Sequence, residues 1–261
     1  MCFDLDSRPP IAPIAGGALD STDLVLDAAD GNRLRAFRAR ATTATGAGVV
    51  ILPDVRGLHP YYEELALRFA EAGVDALAID YFGRTAGVDP RGDHFEHMPH
   101  VERLTWDGLA ADTRAGAAHL RMNDEGRVDA LFTIGFCMGG RLAFLTPTLG
   151  LDLAGAIGLY GIPVGPGRGG MPAPADVAGQ IASPILGLFG GADPAIPPES
   201  IATFDDALTK AGVDHRFVTY DGAPHSFFDR KAAEFADASK GAWDETLSFV
   251  RGRTPSPVPG G

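Results

Sequence analysis

Short runs of apolar residues alternate with amphipathic stretches along most of the chain. The apolar runs have the length of strands and are rich in Val, Ile, Leu and Ala, which is typical of strands buried on both faces. They lie at 47–55, 74–82, 129–136, 153–161 and 184–193, and a further strand with its loop is predicted over 215–225. The amphipathic stretches have helical periodicity and predict helices over 61–73, 101–121, 198–212 and 232–252.

The order of these segments predicts the fold class. Strands that alternate with helices indicate an α/β protein with a mostly parallel central sheet and helices on both faces. The segment 23–40 alternates around Asp30-Gly31, which adds an antiparallel hairpin at the start. The Gly- and Pro-rich stretch 161–179 is predicted to be a long loop. We predict an N-terminal extension (1–20), a single α/β domain (21–252) and a disordered tail (253–261).

Composition narrows the classes of partner. The 261 residues carry a net charge of −12, which disfavours nucleic acid and anionic membranes as partners. The chain has two cysteines, Cys2 and Cys137, so a disulfide framework is not expected and a reducing compartment fits. The N-terminus lacks the apolar core of a signal peptide, and no apolar run reaches the roughly 18 residues of a membrane-spanning helix. We therefore expect a cytoplasmic location. The oligomeric state does not follow from these features, and a monomer and a homodimer are both expected possibilities.

The stretch Gly135-Phe136-Cys137-Met138-Gly139 carries the most specific chemical signal. It fits the pattern G-x-nucleophile-x-G at the end of a predicted strand, before a helical pattern that begins at Arg141. Such a sharp turn strains the nucleophile and leaves room only for glycine two positions to either side. The start of the helix favours an anion, so the N–H of Met138 is a candidate oxyanion donor. Alternatively, Cys137 is a small packing residue between glycines that helix–sheet packing requires.

A cysteine nucleophile needs a base, and the base needs a group that orients it. In sheets of this type the acid and then the histidine follow later strands. Asp193 follows the strand 184–190 and His225 follows the strand 215–220, both at the edge where such sheets bind ligands. Each has a simpler explanation, a turn before Pro194 for the aspartate and a surface loop for the histidine. The order of all three residues favours a catalytic triad, with the N–H of Val55 as the second oxyanion donor.

Four segments resemble the dienelactone hydrolase family of α/β-hydrolases, namely "GFCMGG", "GGADPAIP", "YDGAPHSF" and "DYFGR". The resemblance runs from about residue 20 to 252, and the combination of cysteine, aspartate and histidine is its most specific sign. It implies the α/β-hydrolase fold and hydrolysis of a lactone or related ester, a small molecule, through a thioester without a cofactor or metal. The alternatives are a general carboxylesterase acting on small esters, or a non-catalytic binding protein on a hydrolase scaffold.

The chain departs from this family at two places. A glutamate that helps to control the resting cysteine in the type member is replaced by Asp54, which either keeps that task or only caps the loop. An arginine that holds the substrate carboxylate in the type member is replaced by Asp229, followed by Arg230. Because one carboxylate cannot bind another, dienelactone itself is not the expected natural substrate.

Three further residues are candidates for the substrate pocket. Arg141 either faces the site or, as we favour, pairs with a buried acid. Tyr160 ends a strand near the site and is expected to line it. Arg84 either recognises an anionic group or is an exposed loop arginine.

Three histidines follow one another at intervals of three residues, at His94, His97 and His100. This spacing could hold a metal ion if the segment were helical. Pro99 argues against a regular helix, so a lid or a loop lining the pocket is the preferred interpretation.

Overall fold

The computed structural model describes residues 6–92, 94–122 and 128–255. In this part of the chain eight strands form one sheet, in the spatial order β1-β2-β4-β3-β5-β6-β7-β8. The strands are β1 (Ala18–Asp27), β2 (Arg33–Ala41), β3 (Ala47–Leu52), β4 (Asp75–Ile79), β5 (Ala130–Phe136), β6 (Gly155–Leu159), β7 (Ile185–Gly190) and β8 (His215–Tyr220). The hairpin β1–β2 is antiparallel and joins β4 antiparallel, whereas all other pairs are parallel.

Helices cover both faces of the sheet. They are α1 (Pro60–Glu71), α2 (Gly83–Ala86), α3 (Met98–Val101), α4 (Trp106–Arg121), α5 (Met138–Leu145), α6 (Pro198–Ala211) and α7 (Ala236–Arg253). Along β3, Val49 and Ile51 belong to the core that contains α1, while Val50 and Leu52 belong to the core that contains α4. Successive side chains of a strand point to opposite faces, so a strand in the middle of such a sheet is apolar at every position.

The predicted fold class is confirmed, and the structure differs from the prediction in one interrupted helix, in the predicted loop and at the ends of elements. The helix predicted over 101–121 is interrupted, because α3 ends at Val101 and Thr105 caps a new helix by accepting the N–H of Gly108 (3.2 Å). The predicted loop 161–179 contains two short 3-10 segments, Arg168–Gly170 and Pro174–Gln180. The closing helix begins at Ala236, four residues later than predicted.

The domain division stays a prediction. β1 begins at Ala18, inside the predicted extension, and α7 ends at Arg253, the first residue of the predicted tail. Cys2 and residues 256–261 lie outside the described residues.

Candidate active site

Cys137 lies at the turn between β5 and α5, in a backbone conformation that residues other than glycine rarely adopt. Its φ is 56° and its ψ is −112°. A Cβ on Gly135 would lie 1.8 Å from the carbonyl oxygen of Gly139, and a Cβ on Gly139 would lie 2.1 Å from that of Leu52. Both glycines are therefore sterically required, and the half-buried cysteine is held in a strained turn.

The helix α5 begins at Met138, three residues before the predicted start at Arg141. The N–H of Met138 is thus among the first four of the helix, which have no acceptor within it. The N–H of Cys137 donates to the carbonyl oxygen of Leu159 (3.1 Å), which fixes the turn against the end of β6. An anion beside the sulfur would face the N-terminal end of the helix dipole.

Val55 lies in a tight turn that follows β3. The N–H of Gly57 donates to the carbonyl oxygen of Asp54 (3.2 Å), and the N–H of Arg56 donates to Oδ1 of Asp54 (2.8 Å). The start of α5 packs on this turn, since a Cβ on Gly139 would lie 2.3 Å from the carbonyl oxygen of Pro53. The turn therefore brings the backbone at Val55 to the same side of the sheet as the N–H of Met138.

Asp193 and His225 meet across the ends of β7 and β8. Nδ1 of His225 lies 2.7 Å from Oδ2 of Asp193, and Oδ1 of Asp193 accepts the N–H of Ala195 (2.9 Å). The two loops are joined by the N–H of Ala192, which donates to the carbonyl oxygen of Ala223 (2.9 Å). The aspartate side chain is 1% exposed and that of the histidine 25%, so the carboxylate is buried behind a ring that solvent can still reach.

The ring of His225 and the backbone of Cys137 share one neighbouring segment. Tyr160 follows directly after Leu159, which accepts the N–H of Cys137, and its ring centroid lies 5.0 Å from that of His225. The carboxyl end of β6 thus contacts both the backbone of the cysteine turn and the ring of the histidine. This arrangement can support nucleophilic attack with an oriented base.

Comparison with known proteins decides the family. The family model described as "Dienelactone hydrolase family" matches residues 34–253. The chain belongs to the dienelactone hydrolase family. The resemblance deduced from the sequence is therefore confirmed. The chain is a carboxylic ester hydrolase with a small-molecule substrate.

Individual relatives extend over most of the chain. A Yersinia pestis protein named "Putative carboxymethylenebutenolidase" is 28% identical over 233 residues, covering 88% of this chain and 87% of its own. A Bradyrhizobium protein named "Probable 2-oxo-3-(5-oxofuran-2-ylidene)propanoate lactonase" is 28% identical over 242 residues, covering 90% and 94%. The crystal structure of a protein described as "Putative Dienelactone Hydrolase" from Klebsiella pneumoniae has a TM-score of 0.77 at 25% identity, covering 89% and 98%.

Among the described residues, no helix combines the length and the apolar character needed to cross a membrane. The expectations of a cytoplasmic location, of a monomer or homodimer and of no nucleic-acid partner stay predictions.

A group of buried tyrosines, of which the sequence predicted only Tyr160, supports the candidate site of this member of the dienelactone hydrolase family. We call it the tyrosine layer; it comprises four of the five tyrosines, Tyr61, Tyr62, Tyr81 and Tyr160, each at most 1% exposed. Two of them hold the turn after β3, since Tyr81 Oη donates to the carbonyl oxygen of Pro53 (2.9 Å) and Tyr62 Oη accepts the N–H of Asp54 (3.0 Å).

The other two members of the tyrosine layer hold the segment after His225. Tyr61 Oη donates to the carbonyl oxygen of Phe228 (2.9 Å), and Tyr160 Oη donates to Oδ2 of Asp229 (2.6 Å). Burial and the negative charge of Asp229 raise the pKa of both tyrosines well above the ordinary value, which keeps the phenols protonated as donors. The signal in the sequence was that all four tyrosines lie within two residues of an end of a predicted strand or helix.

Asp54 is fully buried in the turn that it caps. The hydrogen bond from the N–H of Arg56 shows that the loop-capping role exists. Burial, followed by the charges of Asp54 and other groups including Cys137, raises the pKa of Tyr81. Control of the thiol by Asp54 stays a proposal.

Asp229 is a buried carboxyl four residues after His225. Burial raises its pKa to about 8, against hydrogen bonds from Tyr160 and the N–H of Arg230, and the charge of Asp54 raises it further. The position that an arginine holds in the type member is thus occupied here by an acid that is neutral below about pH 8.

The two candidate pocket arginines have structural contacts. Arg84 forms ion pairs with Asp112 and Asp30, which join α2 to α4 and to the β1–β2 hairpin. Arg141 is buried and donates to backbone carbonyl oxygens rather than to the buried acid that we favoured; these belong to Ile162, Val164, Gly165, Met171 and Pro172. These contacts favour a structural role for both residues.

The three histidines do not share a helical face. His97 precedes α3, which is only four residues long, and His100 bonds Thr85 Oγ1 (2.9 Å) and stacks on Phe95 at 5.0 Å. Burial and the charge of Arg56 lower the pKa of His97. No cluster of His, Cys, Asp and Glu suited to a metal ion occurs within residues 6–92, 94–122 and 128–255.

Proposed function

We propose that this hydrolase cleaves a lactone or small carboxylic ester by means of a triad of Cys137, His225 and Asp193, through a thioester. The observation that carries the proposal is the pairing of a strained cysteine at a helix start with a histidine whose Nδ1 lies 2.7 Å from a buried aspartate. Asp193 fixes the tautomer and stabilises the imidazolium that forms during turnover. The relative named as a lactonase supports the same substrate class.

The first half of the reaction forms the acyl-enzyme. His225 takes the thiol proton of Cys137, and the sulfur attacks the carbonyl carbon to form a C–S bond and an oxyanion. The N–H groups of Met138 and Val55 donate to this oxyanion. As the intermediate collapses, the C–O bond breaks, and the leaving oxygen takes the proton from the imidazolium; in a lactone this oxygen remains tethered to the acyl group.

The second half regenerates the thiol. Water gives a proton to His225 and attacks the thioester carbonyl, after which the C–S bond breaks. The sulfur takes the proton back from the imidazolium, and the product leaves as a carboxylic acid that releases its remaining proton to solvent. The scheme is built from these side chains, the backbone donors and water, and it invokes neither a metal nor a cofactor.

The nature of the substrate follows from the groups that could hold an anion. An acid, Asp229, lies four residues after His225, and Arg84 and Arg141 are engaged by acids and carbonyl groups. We therefore propose a neutral lactone or ester in place of dienelactone. The alternative is a general carboxylesterase of small acyclic esters, with which the engagement of Arg84 and Arg141 is equally consistent.

A substrate panel tests this proposal. Neutral enol lactones, p-nitrophenyl esters and dienelactone would be compared with wild type, Cys137→Ala, His225→Ala and Cys2→Ser. We expect turnover of neutral substrates that Cys137→Ala and His225→Ala abolish, while Cys2→Ser, which removes the only other cysteine, has no effect. Preference for acyclic esters would identify the carboxylesterase. Absence of thiol-dependent turnover on every substrate would favour a binding protein.

A further inference from the structure

Three buried hydroxyl groups hold the segment that follows the histidine. Each comes from a different element, and each bonds one of three consecutive residues. The pairs are Ser239 Oγ with the carbonyl oxygen of Phe227 (2.7 Å), Tyr61 Oη with that of Phe228 (2.9 Å) and Tyr160 Oη with Oδ2 of Asp229 (2.6 Å). The position of His225 therefore depends on contacts from α7, from α1 and from the end of β6.

Tyr160 differs from Ser239 and Tyr61 in that its ring packs on the ring of His225, at 5.0 Å between centroids and 56° between planes. Its backbone has a φ of 39°, although the residue is fully buried, and its N–H is held by the carbonyl oxygen of Leu188 (2.8 Å). A strained conformation that the surroundings enforce is typical of functional sites. This strain places the phenol between the imidazole and the carboxyl of Asp229.

We propose that Tyr160 and Asp229 form a positioning pair for His225, in which the phenol ring sets the plane of the imidazole and the carboxyl group of Asp229 holds the phenol. This inference rests on the proposed function, and it gives Tyr160 and Asp229 the role of positioning the catalytic histidine. Neither residue is required to touch substrate.

The charge state of the carboxyl follows from its surroundings. Asp229 faces Tyr160 after β6, Tyr61 of α1, Asp54 in the turn after β3, and His225 on its own segment. Burial raises its pKa to about 8. An ionised Asp229 would place a second buried negative charge beside Asp54, and like charges at close range repel each other. Above about pH 8 this repulsion should displace the segment that carries His225 and lower turnover.

Profiles of kcat against pH on a p-nitrophenyl ester test the pair. In the wild type we expect kcat to fall on the alkaline side of about pH 8. Asp229→Asn, which cannot ionise, should lack this fall. Tyr160→Phe removes a hydrogen bond that lowers the pKa of Asp229, so the fall should move to higher pH, with kcat at neutral pH reduced about tenfold and KM little changed.

Ser239→Ala is the matched control, because it removes a buried hydroxyl from the same segment without touching the ring of His225. It should lower the melting temperature and leave the pH profile unchanged. A purely structural role for Tyr160 and Asp229 predicts the same result for their variants. Unaltered profiles in Asp229→Asn and Tyr160→Phe would overturn the proposal.

A measurement without substrate separates this proposal from the proposed function. The ring nitrogens of His225, assigned in ¹⁵N-histidine spectra by comparison with His225→Ala, should respond to an ionisation near pH 8 in the wild type. The response should be absent in Asp229→Asn. Its presence in both proteins, or in neither, contradicts the positioning pair whether or not the wild type hydrolyses esters.

Discussion

Replacement of Asp229 by Asn should stabilise the protein increasingly as the pH rises. In the folded state the pKa of this carboxyl is raised, chiefly by burial, from 3.8 to about 8. Between these values the folded protein binds a proton that the unfolded chain has released, so the stability of the wild type decreases with rising pH. Asparagine resembles the neutral acid, since Oδ1 can still accept the N–H of Arg230.

The expected magnitude is large for one side chain. At about 1.36 kcal/mol per pH unit, the three units between about pH 5 and pH 8 correspond to roughly 4 kcal/mol in the difference between the two proteins. Because the total stability of a domain is commonly about 5–15 kcal/mol, such a change would be plain in urea unfolding curves.

The assay is urea unfolding of both proteins at about pH 5 and pH 8, with Asp221→Asn as a control in an exposed carboxyl of the same loop. Contributions from other titrating groups cancel in the difference between wild type and variant. We expect the free energy of unfolding of Asp229→Asn to increase relative to that of the wild type as the pH rises. The free energy of unfolding of the control should change with pH as that of the wild type does. A difference that stays constant with pH would refute the view that Asp229 is buried as a neutral acid.

Three further predictions concern the turn and its supports. Gly139→Ala should destabilise the protein by more than about 3 kcal/mol, because a Cβ would overlap backbone carbonyls, whereas Gly252→Ala, with open space around it, should be tolerated in thermal melts. Arg141→Gln should cost about 3 kcal/mol in urea unfolding, since buried carbonyl groups lose their donor. If Asp54 controls the thiol, Asp54→Asn should extend iodoacetamide inactivation of Cys137 to lower pH and reduce turnover; unchanged curves and turnover would leave Asp54 a loop cap.

The fold could be predicted from the sequence because its signals are local. Apolar runs of strand length mark the buried parallel strands, and the turn at Asp30-Gly31 marks the hairpin. The glycines around Cys137 marked the strained turn for a steric reason that the structure makes explicit. The start of α5 was misplaced because Met138, Gly139 and Gly140 have little amphipathic pattern.

The partners of buried polar groups could not be predicted, because they depend on contacts between distant segments. Arg141 looked like a residue that would pair with an acid, but five carbonyl groups of a loop more than twenty residues away accept its hydrogens. The partners of Arg84 and of the tyrosine layer are distant in sequence as well. Arg84 pairs with Asp112, and Tyr61 bonds Phe228 across 167 positions. Periodicity says which residues are buried, but not which buried groups meet.

The central claim is that Cys137 carries the acyl group during turnover. Mass spectrometry of the acid-quenched protein and of its peptides tests this claim most directly. The protein would be mixed with a p-nitrophenyl ester, quenched in acid within the first turnovers and digested to locate the added acyl group. We expect one acyl group on the peptide that contains Cys137 and none in Cys137→Ala. Ester turnover at wild-type rate in Cys137→Ala, or an acyl group on another residue, would contradict the account.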